Sequence, residues 1–132
     1  MLIGQLSDRS GVKLETIRYY ERTGLLPPPP RSPAGYRQYR PDHLKRLVFL
    51  RRSRQLGFSI KEVQDLLNLA SQPDRVCKDV THLAAAHVAS VKAKVRELQR
   101  LQRALEKLVC ACPGKARIAD CGILEALTDG EP

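Results

Sequence analysis

A run of 31 residues without glycine or proline, at positions 79–109, constrains the fold more than any other feature of this 132-residue chain. As one α-helix the run would extend about 46 Å, at about 1.5 Å per residue. Side chains recur along it at seven-residue spacing in two interleaved series, which form one mainly apolar stripe with two polar interruptions. The chain offers no second long helix to cover this stripe, so we predict a coiled-coil homodimer, with packing of the helix on its own domain as the alternative. The two series are Ala84, Val91, Leu98 and Leu105, and His87, Lys94, Leu101 and Leu108.

Positive charge is concentrated in the first 60 residues, although the whole chain carries a formal net charge of +9. Residues 1–60 contain 12 Lys or Arg against 4 Asp or Glu, whereas residues 61–132 contain 11 against 10. A basic half joined to a nearly neutral half indicates a polyanion-binding module attached to a second part. The pattern favours nucleic acid as the partner, and a solvated basic surface is the alternative.

Two short helices separated by a glycine-containing turn open the basic half. Residues 3–9 and 14–22 carry apolar side chains at helical spacing, and Gly24 is suited to cap the second helix. This order is the pattern of a helix-turn-helix. The proline-rich stretch that follows favours extended chain and "SPAG" favours a turn, so 27–31 and 36–39 are expected to pair as a small hairpin, or wing. The wing would carry side chains that hydrogen-bond phosphate oxygens, namely Arg31, Tyr36, Arg37, Tyr39 and Arg40.

A second helix pair follows the predicted wing. Pro41 and Asp42 are typical of a helix start, and Gly57 is expected to end that helix. Ser59 and Glu62 stand three residues apart, which is the spacing of a capping box at the start of the next helix. The sequence therefore predicts a mainly α-helical N-terminal domain.

Four cysteines occur in a chain for which we expect neither a membrane span nor a signal peptide, and we predict a cytoplasmic location. Thiols are usually reduced there, which favours metal or redox chemistry over a disulfide framework. Cys110, Cys112 and Cys121 lie near the end of the chain, whereas Cys77 lies just before the predicted long helix. The one close pair is C-x-C without a βαβ context, so a thiol oxidoreductase is not expected and we predict that the chain is not an enzyme.

Three motifs in their order and spacing resemble the MerR family, the metal- and stress-responsive bacterial transcription activators. They are "TIRYYERTGLL", "GYRQY" and "LGFSIKEV", and the long helix and cysteine loop resemble the metal-sensing branch, so the resemblance covers essentially the whole chain. We accordingly predict a winged helix-turn-helix DNA-binding domain at 1–70, with the helix-turn-helix and wing at 1–40 and the second helix pair at 41–70. A linker and antiparallel coiled-coil dimerisation helix are predicted at 71–110, and a metal-binding loop with a short C-terminal helix at 111–132.

The resemblance also implies roles for residues of the DNA-binding part. Arg18 matches a position that approaches bases or phosphates in the major groove, with solvated charge as the alternative. Tyr20 and Arg22 match positions that support the helix or contact the DNA backbone, and core packing is the alternative for Tyr20. The full predicted DNA-binding set is Thr16, Arg18, Tyr19, Tyr20, Arg22, Arg31, Tyr36, Arg37 and Tyr39.

The outlying Cys77 is explained if two long helices pair in antiparallel orientation. Within one chain a straight helix would hold Cys77 and Cys112 roughly 45–50 Å apart, too far for one ion or one disulfide. Antiparallel pairing would instead place Cys77 of one subunit beside Cys112 and Cys121 of the other. Pro113 and Gly114 are expected to start a turn that lets an ion bring the last two thiolates together. The resemblance implies that these three cysteines are the metal ligands.

Three thiolates suit a soft divalent ion. Hg(II) is favoured because the loop start "LVCACPGK" resembles the mercury branch, but the loop end "CGILEAL" resembles zinc, cadmium and lead sensors, so Cd(II), Pb(II) and Zn(II) are the alternatives. Zn(II) usually takes four ligands, which would add Cys110, His82 or water. Cys110 otherwise matches a non-ligand cysteine, and we consider it as a buried helix-end residue. Cys77 argues for a divalent ion, because the resemblance implies a serine there in monovalent sensors.

These observations predict a dimeric, metal-responsive activator that binds promoter DNA and distorts it in the presence of RNA polymerase. A thiol redox sensor of the same fold is one alternative. A constitutively occupied structural zinc site, whose removal would unfold the dimer, is another. No membrane partner is expected.

Overall fold

The structure is a computed structural model that describes residues 1–112 and 114–129, with Asp129 described by its backbone alone. Its regular elements in these residues are helices, which confirms the predicted mainly α-helical fold. The chain forms two compact units, residues 1–83 and residues 84–132. In chain order the helices are α1 (Ile3–Ser10), α2 (Leu14–Thr23), α3 (Pro41–Gln55), α4 (Ile60–Ala70), α5 (Lys78–Ala111), a 3₁₀ turn (Ile118–Asp120) and α6 (Gly122–Asp129).

The predicted helix-turn-helix forms because α1 ends at a glycine in the left-handed region. Gly11 has a φ of 74°, which a side chain would strain, and its N–H donates to the Ser7 carbonyl at 3.0 Å. The Ser10 hydroxyl accepts from the Val12 N–H at 3.2 Å, so the polar groups of the turn are paired. α2 is capped at Gly24, as predicted.

The core of the first unit lies where α1, α2, α3 and α4 meet. Leu6 of α1, Ile17 of α2 and Val63 of α4 have no exposed surface, and neither have Leu47 and Leu50 of α3. Burial of one such side chain contributes about 1.5–3 kcal/mol. This shared core therefore fixes which face α2 turns toward solvent.

His43 ties the start of α3 to the loop that follows α2. Its Nδ1 accepts from the Arg40 N–H at 3.0 Å, so Nε2 carries the proton and donates to the Pro27 carbonyl at 3.1 Å. The imidazole is buried and stands edge-on to the Tyr39 ring. The chain on both sides of the predicted wing is thus anchored to one side chain.

The predicted capping box opens α4. Ser59 Oγ accepts from the Glu62 N–H at 3.1 Å, and Glu62 Oε1 accepts from the Ser59 N–H at 2.9 Å. Two backbone donors that the helix leaves unpaired are thereby satisfied.

α5 is one continuous helix of 34 residues, slightly longer than the run that predicted it. It contains no buried residue, and the exposed fractions of Val91, Leu98 and Leu105 are 41%, 64% and 61%. In the single chain the apolar stripe therefore faces solvent. No helix among the described residues is both long enough and apolar enough to cross a bilayer.

Candidate DNA interface and metal centre

The predicted recognition helix α2 exposes a basic face because its apolar face packs into the core. Tyr20 is only 7% exposed and packs beside Ile17, so the structure favours core packing for this tyrosine. The opposite face is open to solvent and carries two guanidinium groups. The predicted DNA-binding residues on α2 that remain exposed are Arg18, Tyr19 and Arg22, and Thr16 is half-buried.

The predicted wing is present as a turn closed by a single antiparallel bridge. Arg31 and Arg37 form this bridge, and the Ser32 N–H donates to the Tyr36 carbonyl at 2.7 Å. The four prolines at 27–30 cannot donate backbone hydrogen bonds, which keeps the ladder short. Arg31, Tyr36 and Arg37 are exposed on the wing, as predicted.

Glu21 joins α2 to the wing, a link that the sequence analysis did not identify. One carboxylate oxygen accepts from Arg37 Nη1 at 3.0 Å and the other accepts from the Tyr39 hydroxyl. The side chain of Glu21 is 10% exposed, whereas that of Arg37 is 45% exposed. The only sequence signal was a lone carboxylate between basic and aromatic residues in "RYYER".

Tyr39 lies in the core, 2% exposed, and not on the wing surface where a phosphate contact was predicted. Burial, followed by the hydrogen bond and the charge of Glu21, raises the pKa of its hydroxyl to about 12, and Arg37 opposes the rise. The phenol is therefore a neutral donor at neutral pH. Its contact with Glu21 positions the wing.

A groove of about 510 Å³ lies between α2 and the wing. Arg18 and Arg22 line it from α2, and Tyr36 and Arg37 line it from the wing, with Glu21 also in the lining. Guanidinium groups bind phosphate oxygens in bidentate fashion, and a tyrosine hydroxyl adds a further donor. The groove is thus suited to a phosphodiester backbone.

Two of the three predicted metal ligands, Cys112 and Cys121, come together beyond the end of α5. Cys112 directly follows α5, and Cys121 lies between the 3₁₀ turn and α6. The Leu124 N–H donates to the Cys121 thiol. This hydrogen bond is the largest cause of the lowered pKa of that thiol. A hydrogen bond with the Cys112 thiol lowers it as well, partial desolvation opposes, and the Ile123 N–H lowers it further.

The loop that joins these two thiols is only partly described. Pro113, where the turn was predicted to start, lies outside the described residues, whereas Gly114 has a left-handed φ of 86°. Arg117 and Asp120 form an ion pair at 3.1 Å within the loop.

The other two cysteines are not part of this thiol pair. Cys77 directly precedes α5 and is exposed, and Cys110 lies in the last turn of α5 and is also exposed rather than buried. Among residues 1–112 and 114–129, no group of three His, Cys, Asp or Glu side chains converges. The described part of one chain thus supplies two neighbouring thiols.

Two family models match this chain over regions that overlap. The model of the MerR HTH family regulatory proteins matches residues 1–70, and the model described as MerR, DNA binding, matches residues 44–108. The chain belongs to the MerR family. HmrR, an HTH-type transcriptional regulator of Rhizobium leguminosarum bv. viciae, is 48% identical over 130 residues, which cover 98% of this chain and 99% of the relative. Membership in this family of DNA-binding regulators confirms the prediction that the chain is not an enzyme.

Solved structures of similar regulators share the fold over 81–98% of this chain. The regulator PbrR691 from Ralstonia metallidurans CH34, in complex with lead(II), has a TM-score of 0.84 and 40% identity, covering 96% of this chain and 99% of that one. MerR from Bacillus megaterium MB1, in complex with mercury(II), has a TM-score of 0.75 and 34% identity, covering 98% and 100%. EcmrR in its DNA complex within EcmrR-RPo has a TM-score of 0.60 and 29% identity, covering 81% and 39%. These structures confirm the MerR-type fold.

Proposed function

We propose that this MerR-family chain is a heavy-metal-responsive transcription activator that acts as a homodimer on promoter DNA. The contact between the Cys112 and Cys121 thiols carries the proposal, because two adjacent thiols are donors for soft ions. Similarity to regulators in complex with lead(II) and mercury(II) supports a metal ion as the effector.

The groove between α2 and the wing is the proposed DNA-binding surface. Arg18 and Tyr19 on α2 would enter the major groove, while Arg22, Arg31, Tyr36 and Arg37 would contact phosphates. Tyr20 and Tyr39, being buried, would support α2 and the wing from within the core. Two such surfaces in a symmetric dimer would read a pseudo-palindromic operator.

The solvent-exposed stripe of α5 is the proposed dimer interface. Pairing two copies of α5 in antiparallel orientation would cover Val91, Leu98 and Leu105 of both chains. The same pairing would bring Cys77 of one subunit to Cys112 and Cys121 of the other. Each dimer would then hold two three-thiolate sites, and Cys110 would stay outside both.

A soft divalent ion is the proposed effector, and Hg(II) is the first to test. Thiolates bind Hg(II), Pb(II), Cd(II) and Zn(II), and the similarity to a lead(II) complex keeps Pb(II) as a direct competitor. We place the protein in the cytoplasm, where its thiols would stay reduced.

Activation is proposed to act through the shape of the promoter. Cys112 and Cys121 of one subunit and Cys77 of the other would hold the ion, and their sulfur–metal bonds would join the loop of one subunit to the start of α5 in the other. Both conformations can stay on DNA, so the ion must bind the activating conformation more tightly than the other. An affinity ratio of about 10⁴ between the two conformations changes a 1:99 population to 99:1. The two DNA-binding surfaces would then kink and untwist the promoter, which lets RNA polymerase engage it.

Transcription in vitro tests this proposal with purified protein, RNA polymerase and a promoter carrying the duplex that the protein selects from random DNA. Each metal is added alone at a buffered free concentration. We expect transcription to rise with a soft divalent ion, and Cys77→Ser and Cys121→Ser to lose that response. Cys110→Ser is the matched control, because it makes the same change at a thiol outside the pair, and it should respond as wild type does.

The outcomes separate the alternatives. A response to Hg(II) alone supports the mercury assignment, whereas a response to Pb(II), Cd(II) or Zn(II) at equal or lower concentration replaces it. Intact DNA binding without a response to any metal would contradict metal sensing. A response to peroxide in metal-free buffer would then identify a thiol redox sensor.

A further inference from the structure

The first residue of α6, Gly122, packs directly on the last residue of α5. A Cβ at this position would lie 2.5 Å from the Ala111 carbonyl oxygen and 3.2 Å from the carbonyl carbon. Real Cβ atoms essentially never lie this close to another heavy atom. A backbone oxygen at the end of a long helix cannot move aside as a flexible side chain can.

Gly122 is needed here for space and not for backbone conformation. Its φ is not positive, unlike that of Gly114 at 86°, and Gly114 has no atom within 4 Å of its would-be Cβ. The close approach of two backbone segments is one of the uses of glycine in proteins. Any other residue at 122 would push the start of α6 away from the end of α5.

This contact lies beside both thiols of the candidate metal centre. Ala111 directly precedes Cys112, and Gly122 directly follows Cys121. The two backbone segments that touch are therefore the segments that carry the two thiols. Separating them would also separate the thiols, whose hydrogen bond needs close contact.

We propose that Gly122 is a positioning residue for the Cys112–Cys121 thiol pair, and that its missing side chain sets how readily one chain presents both thiols to a soft ion. The proposal rests on the proposed metal-sensing function. Its structural part, the closeness of the two thiols, does not depend on any metal and can be measured separately.

Capture of the thiol pair by phenylarsine oxide provides the metal-free test. This arsenic(III) reagent forms two S–As bonds with a pair of thiols and releases one water without any change of oxidation state. The background is the full chain with Cys77→Ser and Cys110→Ser, which leaves Cys112 and Cys121 as the only thiols. We expect Gly122→Ala to raise the dissociation constant of the arsenical about tenfold. This factor corresponds to the free-energy cost of overpacking a close contact by one methyl group.

Gly4→Ala is the matched control. It makes the same change near the start of a helix, but its Cβ would have no atom within 4 Å, so arsenical binding should be unchanged. Alkylation of Cys112 by a monofunctional reagent, with Cys121→Ser added to the background, should proceed at unchanged rates in Gly122→Ala and Gly4→Ala. A merely structural defect would alter those rates and the helical circular dichroism, whereas a positioning role alters only two-thiol capture.

Metal binding by the otherwise unchanged chain completes the test, read by the thiolate-to-metal absorption band of Hg(II). Failure of the wild-type chain to bind Hg(II), Pb(II), Cd(II) or Zn(II) would overturn the proposed function. Equal capture of the arsenical by wild type and Gly122→Ala would overturn the role of Gly122, whatever the metal result. Weaker capture together with weaker metal binding, at unchanged DNA affinity, is the expected result.

Discussion

Glu21 joins the two elements of the proposed DNA-binding surface, α2 and the wing. Its largely buried carboxylate accepts from Arg37 on the wing surface and from Tyr39 in the core. A buried carboxylate that loses either partner keeps the cost of its desolvation. The wing therefore has one favoured position relative to α2.

Replacing Tyr39 by phenylalanine tests this arrangement. At neutral pH we expect Tyr39→Phe to lower the free energy of unfolding by about 1.5–3 kcal/mol, the contribution of a hydrogen bond to a charged group. The folded-state pKa of Tyr39 is about 12 against 10.0 when unperturbed, so its contribution is complete below pH 10.0 and is lost as the pH rises toward about 12. Denaturant unfolding of both proteins at a series of alkaline pH values should show the wild-type advantage shrinking across this range.

Tyr36→Phe is the control for that comparison, because Tyr36 is 66% exposed and its loss should leave the unfolding free energy unchanged. A wild-type advantage over Tyr39→Phe that stays constant from neutral to alkaline pH would contradict the assigned role of the Tyr39 hydroxyl.

At the scale of elements, α5 is the part that a single chain leaves incomplete. Leu101 and Leu105 are 54% and 61% exposed, yet they stand at successive seam positions of the stripe. Burial of each leucine in a dimer would contribute about 1.5–3 kcal/mol.

Lysine substitutions on the seam should therefore dissociate the dimer. We expect Leu101→Lys and Leu105→Lys each to raise the dimer dissociation constant at least about tenfold, since every 1.4 kcal/mol is a factor of ten. Sedimentation over a range of protein concentrations measures this directly. Gln99→Lys adds the same charge beside the stripe and should leave the dimer intact; equal dimerisation of all three variants would refute the seam.

At the scale of the whole molecule, the concentration of positive charge in the first unit predicts a strongly salt-dependent affinity for DNA. Each phosphate contact contributes a slope of about −0.9 in log K against log salt. Arg22→Ala removes one exposed guanidinium per subunit from the groove, so the slope of a dimer should become shallower by about 1.8. Fluorescence anisotropy with a labelled operator at several salt concentrations gives the slope.

Arg100→Ala is the matched control, because it removes an exposed cation from α5 and not from the groove. An unchanged slope for Arg22→Ala, or an equal change for Arg100→Ala, would show that phosphate binding lies elsewhere.

The sequence predicted features that depend on residues close together in the chain. The Gly24 cap and the Ser59–Glu62 capping box are local, and both were found where spacing placed them. Glu21 and Tyr39 are 18 residues apart, and their contact exists only because the core brings α2 and the wing together. For the same reason the burial of Tyr39 was not predicted, because the alternation of Tyr and Arg in "YRQY" suggested a side chain on the wing surface.

The candidate metal centre was predictable in part. The sequence analysis expected an ion to bring Cys112 and Cys121 together, and the structure shows a hydrogen bond between their thiols. The tight contact between Gly122 and Ala111 was not predictable, because it depends on how α6 returns to the end of α5. The participation of Cys77 stays a prediction, since it requires a second subunit.

The contacts of Glu21 also have an evolutionary consequence. A chain that lost Arg37 by mutation would keep a largely buried carboxylate with one partner fewer, and a chain that lost Glu21 would leave Arg37 and Tyr39 without their common acceptor. We therefore expect selection to act on these three positions as one unit. Among descendants of this regulator, we expect substitutions at 21, 37 and 39 to accompany one another, even as neighbouring surface positions diverge independently.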